Sequence, residues 1–456
     1  MSKNFLSDMT EGNPSKLLIR FAIPMLIGNL FQQIYNMADA IIVGKFGGEN
    51  GPNALAAVGS VSSLNFLVFS LTMGLAVGIG VVISQYFGAK DYENVKRSFA
   101  TGTYMIFIVS LIMGALGFFF SRYFLELLNT PSAIIDDADI YFKICCLGIF
   151  GNAGYNGMAS VMRALGDSIT PLRFLVIACI VNIVLDLIFV IVFHMGVPGV
   201  AIATIISQAI AGIGCILYAL KKVELLRIPI KEFKPNDVIV KKCITLGLPA
   251  AFQNSLVAVS TIVIQRVTNN YGETVVAAST AAARLEQLVL QPGMSLGLAL
   301  SNYTGQNIGA GRIDRAKQGF WAATKIIVIF SLIMTPLVYF GGGFIMKLFT
   351  DEPLVSEIGL KAIRITSLFY IPVGMIYVSR NLLSGSGDMK IPMIMGVSEV
   401  LCRVIFANIL TLVPAIGFMG IWWASGLNWF ITGGIGCIRY ATGKWKYKSV
   451  VKYNEM

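Results

Sequence analysis

The sequence predicts an all-α polytopic membrane protein, with twelve transmembrane helices in two six-helix bundles related by a pseudo-two-fold axis along the membrane normal. Three observations carry that expectation. First, the 456-residue chain is 56% apolar and only 13% charged, with 46 glycines, whereas a soluble domain carries roughly 25% charged residues. Second, apolar runs such as 174–192, 197–220 and 321–340 are each long enough to cross about 30 Å of hydrocarbon. Third, the chain repeats itself. Gln85-Tyr86-Phe87-Gly88-Ala89, followed by Lys96, recurs 221 residues later as Gln306-Asn307-Ile308-Gly309-Ala310, followed by Lys317. Gly166-Asp167 with Pro171 recurs at the same offset as Gly387-Asp388 with Pro392, and Ile23-Pro24 recurs slightly shifted as Leu248-Pro249. Two unrelated turn motifs sharing one offset indicate a duplicated unit of about 220 residues, an arrangement that membrane transporters use.

The elements follow in order. Met1–Lys16 is polar and shows no cleavable signal pattern, and the apolar run after it continues as a first full span near 17–43. A second span, near 54–84, carries Gly74, Gly78 and Gly80. Inside a span such glycines mark close helix packing rather than a phosphate-cradling loop. The turn after it is basic at Lys90, Lys96 and Arg97, and a third span follows near 97–119. A fourth, near 139–162, holds Asn152 and Asn156 and ends at the turn from Arg163 to Pro171. The fifth and sixth lie near 171–193 and 197–220, separated by a turn containing His194. Residues 221–242, with Pro229 and Pro235 and a solvated middle of Lys231, Glu232 and Lys234, are the expected linker between the halves. The second half repeats the pattern near 243–267, 275–302, 316–345, 357–383, 391–413 and 416–438. The domain division expected is therefore an amino-terminal lobe over 1–220, the linker 221–242, and a carboxy-terminal lobe with a basic tail over 243–456.

Lysine and arginine crowd the amino end, alternate connections and the tail, as at Lys221, Lys222, Arg227, Lys241, Lys242, Arg312, Arg315, Lys444, Lys446 and Lys448. The opposite side holds few, among them Lys45, Arg122, Arg266, Lys347 and Lys361. The positive-inside rule then puts both termini of a multi-pass cell-membrane protein in the cytoplasm. The net charge of +11 is accounted for by that asymmetry and not by a nucleic-acid surface. An even number of spans per half makes the repeat parallel, as in two lobes facing a central cleft. One histidine and seven cysteines without Cys-x-x-Cys spacing support no zinc site, haem or disulfide framework, and no Walker loop is present. A polytopic membrane enzyme lacks its nucleophile or metal constellation, so no cofactor is expected.

Charges inside spans are functional hypotheses by default, since each costs at least ~2.5–3.5 kcal/mol at membrane depth. Asp39 and Asp186 both fall in the outer half of the first lobe, and no lysine or arginine is expected at matching depth there. Gln32, Tyr35 and Asp39 stack along one helix face at spacings of three and four, and Asn182 with Asp186 do the same one turn apart. Such carboxylates, amides and a phenol form a hard-oxygen environment suited to Na⁺ or to a proton held on a carboxylate. In the second half Arg284, Glu286, Glu399 and Arg403 fall near mid-depth and sum to zero charge. Glu399 and Arg403, one turn apart, are expected to pair. A neutral network of this kind is expected to lock lobe geometry or gate a cleft. Lys325 stands alone in mid-span, and Pro24 is a plausible bending point because proline removes a backbone bond there.

The two six-helix halves, Asn36-Met37-Ala38-Asp39, Gln85-x-x-Gly88-Ala89, Arg163-x-x-Gly166-Asp167-x-x-x-Pro171 and Asn182-x-x-x-Asp186 together resemble the multidrug and toxic compound extrusion (MATE) family along essentially the whole chain. The resemblance implies a MATE-like fold opening outward as a V, acting as an antiporter of Na⁺ or H⁺ against amphipathic, often cationic drugs or toxins. It implies an ion site at the matching positions Gln32, Tyr35, Asp39, Asn156, Asn182 and Asp186, with Asp39 and Asp186 as the Na⁺ candidates. The expected partners are small-molecule drugs or toxins and the lipid bilayer, with no nucleic acid, and a monomer suffices. One departure is that the slot four residues after Pro249, where some members carry a carboxylate, is Gln253. The alternative is a flippase for a lipid-linked saccharide precursor, which needs a cationic cavity that Glu286 and Glu399 argue against.

Overall fold

A computed structural model describes residues 7–46, 51–347, 350 and 352–451. Among these residues there are fifteen α-helices and no strand. In chain order they are α1 (Pro14–Phe46), α2 (Gly51–Gly88), α3 (Tyr92–Phe119), α4 (Ser121–Leu127), α5 (Ile135–Leu147), α6 (Ile149–Ala164), α7 (Ile169–Leu187) and α8 (Gly196–Lys222). Then come α9 (Asp237–Asn269), α10 (Glu273–Gly309), α11 (Ile313–Met346), α12 (Pro353–Ser367), α13 (Tyr370–Ser386), α14 (Lys390–Leu412) and α15 (Gly420–Ala441). Eight of the described helices are individually long and apolar enough to cross a membrane, and α12 with α13 pass as a ninth, bent span. With α5–α6 taken as one span, α10, α15 and that pair complete twelve, and the short α4 stands outside the series.

Two of the spans expected to be continuous are broken. The fourth breaks at Gly148, between α5 and α6, where the Ile205 side chain of α8 sits in the space a Cβ would need. The tenth bends by 53° between α12 and α13. Pro372, near the start of α13, has no N–H to continue the ladder. At the end of α12 the Thr335 hydroxyl donates to the Ser367 carbonyl at 2.9 Å, as irregular backbone at membrane depth requires.

The internal repeat is written in the backbone. Gly166 and Gly387 both adopt the left-handed conformation, at φ 90° and 91°. Each ends a helix in the same way. Gly166 N–H bonds Arg163 O at 3.0 Å and Asp167 N–H bonds Met162 O at 2.8 Å, while Gly387 bonds Ser384 at 3.0 Å and Asp388 bonds Leu383 at 2.9 Å. This is glycine's usual role at a helix C-terminus. The α2–α3 and α10–α11 turns match too, with Lys90 (φ 59°) and Gly311 (φ 72°) at equivalent places. The two copies differ in what the turn aspartate does. Asp167 caps α7 through the Ile169 and Thr170 N–H groups at 2.9 and 3.0 Å, whereas Asp388 forms an ion pair with Arg439 at 2.6 Å.

Contacts divide the chain into two compact units. One contains Ile23–Ala251 with Ser7 and Asp8, and the other contains Met9–Ala22 with Phe252–Met456. The divisions fall beside Pro24 in α1 and Pro249 in α9. In the first unit α6 lies between α2 and α8, over a core that includes Val61, Phe142, Ile149 and Val200. Residues 229–236 pack on α3 there, with the Phe233 ring edge-on to Phe99 and the Asn236 N–H on the Thr101 hydroxyl at 3.0 Å. In the second unit α13 packs on α10, α11 and α15. The amino-terminal strap closes that unit. Met9 N–H donates to Gln306 Oε1 at 2.9 Å, Asn307 Nδ2 to Met9 O at 3.1 Å, Arg312 to Thr10 O at 2.6 Å and Arg315 to Gly12 O at 2.9 Å.

The span glycines of α2 are packing sites. A Cβ on Gly78 would meet Gly247 N at 2.6 Å and Cys243 O at 2.8 Å, and one on Gly74 would collide with the Ala251 backbone. Small residues permit such backbone contact where no hydrophobic drive brings helices together. A Gly78→Val variant is expected to lower the thermal unfolding midpoint in detergent, with an overpacking cost of about 1–3 kcal/mol. An unchanged midpoint would rule out the close approach.

Candidate functional site

Within the first unit, five helices enclose a cavity of about 200 Å³. α1 contributes Gln32, Tyr35, Asn36 and Asp39, α2 contributes Asn65 and Phe69, α5 contributes Tyr141 and Cys145, α6 contributes Asn152, and α8 contributes Thr204 and Gln208. The α1 residues meet the cavity together because spacings of three and four put them on one helical face.

Of the two carboxylates, Asp39 lines the cavity and Asp186 lies behind its wall. Asp39 is 9% exposed, while Asp186 and Asn182 of α7 are fully buried at 0%. The Asp39 carboxyl faces Asp186, Asn182 and Thr204, and Tyr35 lies against Thr204 and within reach of both aspartates. These groups are close, yet they are not in hydrogen-bond geometry. Asp39 Oδ1, both oxygens of Asp186, both polar atoms of Asn182, Asn65 Oδ1 and Thr204 Oγ1 are buried without a hydrogen-bond partner. The charged and polar groups acting on the two aspartates include no lysine or arginine.

Leaving a buried polar group unpaired costs about 1–3 kcal/mol, and more for a charge. A cluster of several such groups is therefore incomplete without a cation or shared protons. Its oxygens are carboxylate, amide and hydroxyl, which fits a hard monovalent cation or a proton. Just past Asp186 the helix widens into a π-helical turn, Ile188–Val192, in which Phe193 N–H reaches back to Ile188 O at 3.0 Å. Such widened turns recur at functional sites.

Of the expected ion-site residues, Gln32, Tyr35 and Asp39 line the cavity and Asn182 and Asp186 meet Asp39. Asn156 is set apart: its Nδ2 donates to Asn152 O at 2.9 Å and to Asn152 Oδ1 at 3.0 Å, so it orients a lining residue. Asn65, Tyr141, Thr204 and Gln208 were not evident as members. Thr204 and Gln208, one turn apart in an apolar helix, carried the same spacing signal as Asn182 and Asp186.

The second-unit quartet differs from its expected form. Glu399 pairs with Arg380 of α13, both side chains being nearly buried, and not with Arg403. Although Glu399 and Arg403 share a face of α14, the Arg380 guanidinium on the neighbouring helix takes Glu399 first. Glu286 instead faces Thr366 and Arg403, with Glu286 Oε1 and Arg403 Nε left unpaired. Arg284 is exposed and stands outside the network. Pro24 lies within α1, which continues through it as helix.

The MatE family model matches residues 24–188 and, a second time, residues 249–409. The probable multidrug resistance protein YpnP of Bacillus subtilis (strain 168) is 31% identical over 442 residues, covering 96% of this chain and 97% of that protein. The probable multidrug resistance protein YoeA of the same organism is 26% identical over 410 residues, covering 88% of each. A solved structure of a MOP superfamily transporter from Pyrococcus furiosus Vc1 shares the fold, with a TM-score of 0.90 at 23% identity, over 98% of this chain and 100% of that one. With the family model matched twice over most of its length and a relative 31% identical along 96% of it, this chain belongs to the MatE family of multi-pass membrane transporters.

Proposed function

We propose that the protein is a cation-coupled antiporter that exports amphipathic drugs or toxins by alternating access, with Asp39 and Asp186 as the site of the coupling Na⁺ or H⁺. The observation that carries this reading is the buried carboxylate pair at a polar cavity, with three of its four oxygens unpaired and, among the described residues, no lysine or arginine acting on it. Asn182, Thr204 and Tyr35 complete the ligand sphere, and Gln32 and the Asn152–Asn156 pair shape the approach. Cation binding lowers the negative charge of the pair by one unit, the first unit repacks with a bend at Pro24, and drug affinity falls so that substrate leaves outward. Linkage demands the reverse as well: bound drug weakens cation binding by the same factor. The Glu399–Arg380 ion pair, with Arg403 in electrostatic reach of Glu286, serves as a lock on the second unit's geometry. Both termini are cytoplasmic in this reading, supported by the basic alternate connections, and a single chain suffices for the cycle.

The test is transport by the purified chain in proteoliposomes under imposed sodium and pH gradients. Dye uptake driven by one of the two gradients is the expected result and identifies the ion. Uptake that responds to neither overturns antiport.

A further inference from the structure

Lys325 has no part in the scheme above. On α11 it follows Lys317 and Trp321 at four-residue spacing, so the three share one helix face. Lys325 is exposed, Trp321 is 57% exposed, and the stripe continues as exposed Ile329 and Leu332. Among the described residues Lys325 makes no ion pair, whereas Lys317 is paired with Asp314 at 2.7 Å.

α11 has 34 residues, about 51 Å at 1.5 Å per residue, against about 30 Å of hydrocarbon. With the excess shared between its two ends, its first turns stand outside the apolar layer and Lys325 starts roughly 8 Å beneath the boundary. Helical side chains lean toward the helix N-terminus. The Lys325 stem thus runs back along the helix, and its ammonium snorkels to the level of Trp321.

The tail after α15 is anchored, through Tyr440, against the Phe320–Trp321 stretch of α11. Gly443, in the left-handed conformation at φ 69°, turns the chain into a short 3₁₀ turn, Lys444–Tyr447. Trp445 is fully buried and pins that turn. Its indole donates to Tyr440 O at 3.1 Å and stacks on the Tyr440 ring, which stacks in turn on Phe320 at 3.7 Å and meets Trp321 edge-on at 6.4 Å. With Trp445 held inward, Lys444, Lys448 and an 85% exposed Tyr447 face outward. Lys446 lies within electrostatic reach of Asp314 at the start of α11.

We propose that α11 and the carboxy-terminal tail form a binding site for the phosphate headgroup of an anionic phospholipid. Lys325 approaches from below, Lys444 and Lys448 from above, and Trp321 and Tyr447 lie at the depth where amphipathic rings favour the membrane interface. The acyl chains run down the Ile329–Leu332 stripe. Basic sites of this kind between or beside transmembrane helices recognise anionic headgroups, because a zwitterionic lipid brings its own cation into the cluster.

The test uses the full-length protein exchanged into detergent with equal amounts of phosphatidylglycerol and phosphatidylcholine, with retained lipid read by native mass spectrometry. Phosphatidylglycerol is expected to be retained in preference, and excess inorganic phosphate should not displace it. Each lysine near an anionic surface is worth about a fivefold change in binding, so Lys325→Gln should lower retention about fivefold and Lys444→Gln with Lys448→Gln further. Lys325→Arg should keep it, since a guanidinium also grips phosphate. Three outcomes each overturn the proposal: wild-type retention in Lys325→Gln, equal retention of the two lipids, or displacement by inorganic phosphate, which marks a free-anion site.

Discussion

An Asp186→Asn variant is expected to lose ion-driven efflux of an ethidium-like dye down to the level of membranes without the protein, while its abundance holds or rises. The side chain is fully buried and neither oxygen has a hydrogen-bond partner. A charge held at that depth costs at least ~2.5–3.5 kcal/mol, which the near-isosteric amide does not incur. The amide should therefore fold at least as well as the carboxylate, and the thermal midpoint should stay level or move up. What it cannot do is exchange one unit of charge with a visiting cation. Asp39→Asn should behave alike, and the double variant should be no worse than either single one, because residues that act as a unit are not additive. Gradient-driven dye export at the native rate in either single variant would refute the assignment, and protein level measured alongside separates transport loss from misfolding.

The second large effect is expected in the other half. Arg380→Ala leaves Glu399 as a nearly buried carboxylate without its guanidinium. Removing one partner of a buried pair costs about 3–5 kcal/mol, whereas replacing both with apolar groups of similar volume is often neutral. Arg380→Ala should therefore lower the unfolding midpoint markedly, and Arg380→Leu combined with Glu399→Leu should recover most of it. If the single variant unfolds where the native chain does, the pair is not holding α13 to α14. A double variant that folds normally and still exports dye would confine the pair to a purely structural part.

The larger features of this fold were legible because lipid permits few solutions. Backbone satisfaction forces helices, and the repeated Gly166-Asp167 and Gly387-Asp388 motifs marked helix ends that the backbone reproduces within a degree of φ. The carboxylate pair was legible for a similar reason, since Asp39 and Asp186 are costly anomalies in apolar runs. Neutral site members gave no such contrast. Asn65, Thr204 and Gln208 cost little in a span and read as ordinary helix-to-helix hydrogen bonding, so only their convergence in three dimensions reveals them. Arg380 was missed because helical spacing suggested a partner for Glu399 within α14, and spacing carries no information about a neighbouring helix. The breaks at Gly148 and before Pro372 likewise depend on Ile205 and on the Thr335 hydroxyl, which lie far off along the chain.

The clasp on the amino-terminal strap has a consequence for biosynthesis. Met9, Thr10 and Gly12 are made some 300 residues before the side chains that hold them, Gln306, Asn307, Arg312 and Arg315. At translation rates of about 5–20 residues per second that is a wait of roughly 15–60 s. The strap residues therefore spend that interval unclaimed, exposed to proteases and chaperones, and are secured only when the second half of the chain has emerged.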